Sequence, residues 1–229
     1  MKSPSKITPQ LRQLHLFIDT NVYLNFFSFT GDDLSQLGLL ATHLKRRSVR
    51  LHFPDNVYSE FIKNREQKIA ESCTLLNKLE IQKSIPRLFY ELPERSGFLD
   101  SYRQIALLRD LMIATIKKQA LTYSLPADVL IKSLYDSSER HVITEEIYAK
   151  AIRRSSLHQP PGKESALGDR LHWEMLLASI PSGSDMHIIS KDGDYKSLLD
   201  ARSPHDFLQR EWERTKKSKL FCTLNSSHS

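Results

Sequence analysis

Cysteine is nearly absent: Cys73 and Cys222 are the two in 229 residues. That count excludes a disulfide scaffold and a cysteine-built zinc site, and leaves two reduced thiols with no special role as the reading. No apolar run approaches the roughly 18 residues that a membrane helix requires, so no membrane partner is expected. The polar stretch Met1–Gln10, with two prolines, lacks the apolar core of a secretory leader, and a cytoplasmic protein is expected. The nine histidines fall at no familiar metal-ligand spacing, which argues against a histidine zinc site. Internal repeats and long low-complexity segments are missing as well. The length suits one large domain spanning 1–229, or one domain with an insertion.

What the chain does carry is positive charge, net +6. A basic balance favours polyanionic partners, nucleic acid among them, although by itself it decides nothing. The hydrophobic pattern is that of an alternating α/β chain. Leu14–Ile18 reads as a buried strand ending at Asp19, and Thr20 and Asn21 suit the helix start that follows. Leu34, Leu37, Ala41 and Leu44 mark one face of a second helix. Val49–Phe53 is a second strand, stopped by Pro54 and followed by a helix towards Leu79. Strand, helix and strand in this order imply right-handed crossovers and a mainly parallel sheet. Between about 80 and 155 the pattern turns helical, with Tyr102, Ile105, Leu108, Met112 and Ile116 at helical spacing and further helix starts at Pro126 and Thr144. This segment reads as a helical insertion, open to gating a cleft, guiding a single strand or forming a homodimer face. After the loop His158–Lys163 come a helix over about 165–179, a strand at Met186–Ser190, a helix over 205–217 and a last strand at 219–224.

Two of the strands end in acids, Asp19 and Asp192. In a parallel sheet all strand C-termini share one edge, and ligands bind in the crevice there. Asp194 lies two residues beyond Asp192. Glu60 and Asp169 lie in the first turns of helices that begin on the same edge. Five carboxylates gathered in one cleft repel one another and require a cation. Oxygen ligands without a nearby cysteine favour Mg²⁺ or Mn²⁺ over zinc. Such a centre suits hydrolysis of a phosphodiester, with surplus positive charge elsewhere holding the nucleic-acid backbone.

Four motifs in order then resemble the PIN-domain nucleases: Phe17-Ile18-Asp19-Thr20-Asn21; Glu60 after a strand that ends in proline; Gly168-Asp169 at a helix start; and Ile189-Ser190-Lys191-Asp192-Gly193-Asp194-Tyr195. The resemblance spans residues 14 to 199 and leaves 80–155 without a counterpart in the minimal fold. It implies a three-layer α/β/α sandwich around a central parallel sheet. It also implies metal-dependent endonuclease activity, with RNA favoured over DNA as substrate. Small members are toxins of toxin–antitoxin pairs. The length and the Gly-Asp-Arg-Leu-His-Trp-Glu third motif place this chain closer to a larger bacterial branch, where an antitoxin or defence-system partner is one expectation.

Each residue also has a plainer reading. Asp19 suits a helix N-cap, Asp192 and Asp194 suit a turn, and Asp169 suits a dipole-favoured first turn. Asn21 and Ser190 are expected to orient ligands or water. Lys163, Arg170 and Lys191 are candidate phosphate contacts, although Arg170 also stands four residues before Glu174 and suits a local ion pair. Lys117-Lys118, Arg153-Arg154 and Lys216-Lys217 are further candidate backbone contacts. His172 is expected to be a satisfied structural histidine, with a proton-shuttle role as the alternative, and Trp173 a core residue. A haloacid-dehalogenase-type phosphatase is disfavoured because Asn21 stands where a second aspartate is needed, and a receiver domain because it is half this length. The rival of a different class is a PIN-like module that binds nucleic acid or protein without cutting.

Overall fold

The computed structural model describes residues 13–28, 34–78, 85–163, 166–200 and 202–223. Five strands, β1 (Leu14–Ile18), β2 (Val49–Pro54), β3 (Glu139–His141), β4 (Met186–Ile189) and β5 (Leu220–Thr223), form one sheet in the order β3-β2-β1-β4-β5. Every pairing is parallel. The helices are α1 (Thr20–Asn25), α2 (Leu34–Lys45), α3 (Asp55–Asn77), α4 (Glu94–Leu121), α5 (Pro126–Asp136), α6 (Glu145–Ser156), α7 (Leu167–Ser179) and α8 (Asp206–Lys216). Among the described residues no helix is long and apolar enough to cross a membrane.

The two faces of the sheet sort the helices, because side chains alternate along each strand. Phe53 of β2 points to one face, where Tyr23 of α1 stacks on it and Tyr58 of α3 and Tyr135 of α5 meet it edge-on. Phe17 of β1 points to the other face, against His172 of α7. There Trp173 of α7 meets Trp212 of α8, both fully buried. The result is the expected α/β/α sandwich, with a continuous core through Leu51, Phe53, Ile188 and Trp173.

The segment read as a helical insertion turns out to hold a strand. Short β3 pairs with β2 through His52↔Glu139 and Pro54↔His141, and Ile131 and Leu134 of α5 and Ile147 of α6 join the core. What stands outside the core is α4, which packs against α3 and buries no side chain completely. Ile105, Leu108 and Met112, the apolar residues at helical spacing, are all more than half exposed.

On the Phe17 face, three histidines from adjacent strands stack ring on ring: His15, His52 and His141, with centroids 5.1 Å apart at each step. Their nitrogens are linked, His15 Nδ1 to His52 Nε2 at 2.9 Å and His52 Nδ1 to His141 Nε2 at 2.8 Å. Burial, then the His141, His15 and Arg50 charges, push the His52 pKa down to about 3. Burial is also the main cause lowering His15 and His141, with Glu139 opposing at both and Asp55 at His141. A folded pKa below the unfolded one means that the native state binds fewer protons, so stability is lost as pH falls below about 6.5. At pH 5 the His52 share is about 2 kcal/mol. His52→Gln keeps a donor and an acceptor without titrating. We expect it to shrink the fall in melting temperature between pH 7.5 and pH 5 by about 4 °C or more. An equal fall in variant and wild type would show that the stack has no part in acid lability.

Candidate metal centre

Strand order reverses direction at the β1/β4 pair, because β2 and β3 lie to one side and β4 and β5 to the other. In open α/β sheets ligands bind beyond the strand C-termini where the order switches. Asp19 leaves β1 at this point, and its N–H donates to the Ile189 carbonyl at the end of β4 at 2.9 Å. The two strand ends that carry acids are therefore tied together by backbone.

Asp19 is both the helix cap and the centre of the site. Its Oδ1 accepts from the Thr20 N–H at 2.7 Å. Its Oδ2 accepts from Ser190 Oγ at 2.7 Å and from Asn21 Nδ2 at 3.0 Å. Asn21 Nδ2 also donates to Asp192 Oδ2 at 2.7 Å, while its Oδ1 accepts from the Lys191 N–H at 3.2 Å. Ser190 Oγ in turn accepts from the Asp192 N–H at 3.1 Å. Asn21 and Ser190 thus hydrogen-bond the carboxylates that follow two neighbouring strands. Lys196, buried, donates from Nζ to the Ser190 carbonyl at 3.3 Å and steadies the same turn.

The acids brought by helices arrive by different routes. Glu60 on α3 is exposed at the rim, and its Oε2 accepts from Thr20 Oγ1 at 3.0 Å. Asp169 sits in the first turn of α7 and is half-buried. The loop before it is drawn tight against it. Gly162 has φ +89°, and a Cβ there would lie 3.0 Å from the Ala166 carbonyl oxygen and 3.2 Å from Asp169 Oδ2. Only glycine tolerates both the backbone angle and the approach.

Arg170 corrects the sequence reading twice. It is 1% exposed, and its guanidinium donates to the carbonyls of Gln159, Gly162, Lys163 and Ala166. It therefore builds the loop that seats Asp169 and does not face a phosphate, and Glu174 pairs with Arg154 instead of with Arg170. Arg154 and Lys216 are likewise buried, the latter donating to the Ile180 carbonyl, so neither is a surface contact for a nucleic-acid backbone. Lys163 is exposed beside Gly162, and Lys191 is half-buried above the Asn21 side chain.

The electrostatics follow from the burial. Asp19, 4% exposed, has its pKa pushed up to about 6, chiefly by burial. Hydrogen bonds from Ser190 and Thr20 oppose the shift, and Asp192 and Glu60 add to it. Asp169 is pushed up to about 7 by burial first, then by Asp19, Asp194, Asp192 and Glu60. Asp194 contributes to this shift from the 3₁₀ turn Gly193–Tyr195. A bound cation would favour the ionised form of both buried aspartates.

Three further buried groups, Tyr23, Tyr195 and His172, are not among the site residues expected from the sequence. The hydroxyls of Tyr23 and Tyr195 are buried without a partner, and so are both ring nitrogens of His172. Burial raises the two tyrosines well above their usual range, with Asp19 adding to both, and lowers His172 to about 4. His172 departs from the satisfied structural histidine expected of it. A nitrogen of its ring lies within 4.8 Å of carboxylate oxygens of both Asp19 and Asp169. Orphaned buried donors and acceptors beside ionisable carboxylates fit a site built to receive a cation and its water.

A family model described as PIN domain matches residues 16–195 of this chain. The chain belongs to the PIN-domain family. The matched span runs from the middle of β1 to Tyr195 and so takes in every acid of the site, and the family is in general one of nucleases. No curated protein and no solved structure matches the chain.

Proposed function

We propose that this PIN-domain protein is a metal-dependent endonuclease that hydrolyses single-stranded RNA. The observation that carries the proposal is the pair Asp19 and Asp169. Their carboxylate oxygens, one from a strand end and one from a helix start, come within 4.8 Å of each other, and burial with neighbouring acids raises both pKa values. Asp19 and Asp169 would hold the ion, with Asp192, Asp194 and Glu60 completing its environment. Mg²⁺ or Mn²⁺ bound there would supply an activated water and neutralise charge developing on the phosphate. Ser190 and Asn21 keep the Asp19 and Asp192 carboxylates facing the cleft, and Glu60 is held at its rim by Thr20. Lys163 and Lys191 are the proposed contacts to the substrate backbone, in keeping with the positive net charge of a chain whose cleft is acidic. A toxin–antitoxin or defence setting with an antitoxin as partner belongs to the same proposal and rests on family resemblance alone; a cytoplasmic location and a homodimer through the 80–155 segment belong to it on the sequence reading.

The test is cleavage of end-labelled single-stranded RNA and DNA by the purified protein in Mg²⁺, in Mn²⁺ and in EDTA, beside Asp19→Asn. We expect internal cuts in RNA that need metal and vanish in the variant. Salt-sensitive binding with no cutting in either metal would make the protein a nucleic-acid-binding module instead.

A further inference from the structure

His172 has no role in the chemistry set out so far, and its surroundings are unusual. It is 1% exposed, and neither ring nitrogen meets a hydrogen-bond partner. A buried polar group left unpaired is costly, and an imidazole always presents one donor and one acceptor, or two donors when charged. Phe17 sits against the ring at 5.5 Å and offers it no hydrogen bond. The ring is not turned away into the core, however. One of its nitrogens, one oxygen of Asp19 and one of Asp169 all lie within 4.8 Å of one another. Three ligand atoms gathered within that span can be brought around a single ion.

The backbone explains the convergence. Asp169 and His172 are three residues apart on α7, so their side chains lie one above the other on the same helical face. A carboxylate and a histidine at i and i+3 form the pair that supplies mixed ligands in helical di-iron and di-manganese sites. Asp19 enters from β1 on the opposite side of the cleft.

We propose that His172 is a nitrogen ligand of the metal centre, which makes the centre a mixed carboxylate–imidazole site that takes Mn²⁺ in preference to Mg²⁺. The inference rests on the metal-centre reading above. Its chemistry is selective: imidazole suits the first-row transition ions, whereas Mg²⁺ prefers all-oxygen coordination and keeps its waters.

The test reads the metal and not the reaction. The full chain, loaded with one equivalent of Mn²⁺, is examined by electron spin echo envelope modulation, once with natural-abundance nitrogen and once with ¹⁵N-histidine. Mn²⁺ and Mg²⁺ affinities are measured in parallel by titration for wild type, His172→Phe and Asp19→Asn. We expect a directly coordinated ¹⁴N signal that changes with ¹⁵N-histidine and disappears in His172→Phe. Mn²⁺ affinity in that variant should fall about 10–100-fold, with Mg²⁺ affinity changing less than about threefold. The labelled wild type decides the question even if His172→Phe folds poorly. Mn²⁺ bound in an Asp19-dependent way without a histidine nitrogen would overturn the proposal and leave the carboxylate centre standing. A nitrogen signal that survives in His172→Phe would overturn it too, by assigning the nitrogen to another histidine. Failure of wild type to bind Mn²⁺ or Mg²⁺ would remove the metal centre itself.

Discussion

Replacing Asp169 with Asn is expected to reduce metal-dependent cleavage on the order of 10³-fold and, in EDTA, to make the protein more stable than wild type. The second effect follows from linkage. The folded-state pKa of Asp169 is raised to about 7, above its ordinary value of 3.8, so the metal-free native state holds a proton that the unfolded chain has released. Ionised Asp169 therefore penalises the fold in full above pH 7. The penalty is relieved as pH falls through 7 and is gone near pH 4. One pKa unit corresponds to about 1.4 kcal/mol, so three units set an upper bound of about 4 kcal/mol. We expect about 2 kcal/mol once the partial exposure of the group is allowed for. Thermal unfolding of wild type and Asp169→Asn in EDTA should show the variant ahead at pH 8 and level near pH 4. With Mn²⁺ at about a hundred times its dissociation constant the order should reverse, because bound ion adds about 2.7 kcal/mol to wild type. A variant that is less stable than wild type in EDTA at pH 8, or that still cuts at the wild-type rate, would sink this account of Asp169.

The same comparison shows why Asp169 and not Asp19 is the cleaner probe. The Asp19 carboxylate accepts from Thr20, Ser190 and Asn21, so its replacement disturbs the α1 cap and the β1–β4 junction as well as the charge. Relief of repulsion and loss of hydrogen bonds then act in opposite directions.

The parts of this molecule that were legible in its sequence are those set by periodicity and by topology. β1, β2 and β4 carry apolar runs that end in acid or proline, and parallel pairing brings Asp19 and Asp192 to one edge whatever the details of packing. Asn21 and Ser190 sit in the same turns as those acids and hydrogen-bond to them. Short β3 left no such trace. Its three residues, Glu-Arg-His, have neither alternation nor β-branched side chains, and its place beside β2 is fixed by backbone pairing and by the histidine stack, neither of which a local pattern records. The Arg170–Glu174 spacing suggested a helix-surface pair, but tertiary structure overrode it: Arg154, twenty residues earlier, claims Glu174, and four loop carbonyls claim Arg170. His172 was hidden for a related reason. Within an apolar helix a histidine looks structural, and only the fold reveals that its nitrogens lack partners and that Asp19 lies across from it. The Asp-x-x-His spacing was the one signal that pointed to it.

Replacing Arg154 with Ala should produce a large loss of stability. The guanidinium is 4% exposed and holds three elements together. It lies 2.7 Å from Glu174 of α7 and 2.7 Å from Glu211 of α8, and donates to the Pro160 carbonyl at 2.9 Å. Glu211 uses its second oxygen to accept from Trp173 Nε1 at 2.7 Å. Truncation leaves two largely buried carboxylates facing each other without a cation, a loss of about 3–5 kcal/mol. At roughly 2–4 °C per kcal/mol for a chain of this size, melting should fall by about 6–20 °C. The damage comes from the charge left behind more than from the bond removed, because a buried ion pair is itself worth little against apolar packing. Arg154→Met combined with Glu174→Met and Glu211→Gln, which keeps an acceptor for Trp173, should therefore recover most of the loss. Arg154 also fixes the carbonyl of Pro160 in the loop that seats Asp169, so the repaired triple variant should melt near wild type yet bind Mn²⁺ more weakly. Unfolding curves and Mn²⁺ titrations on the single and triple variants separate the two effects. A triple variant as unstable as Arg154→Ala would mean that the guanidinium acts through its geometry and not through charge compensation.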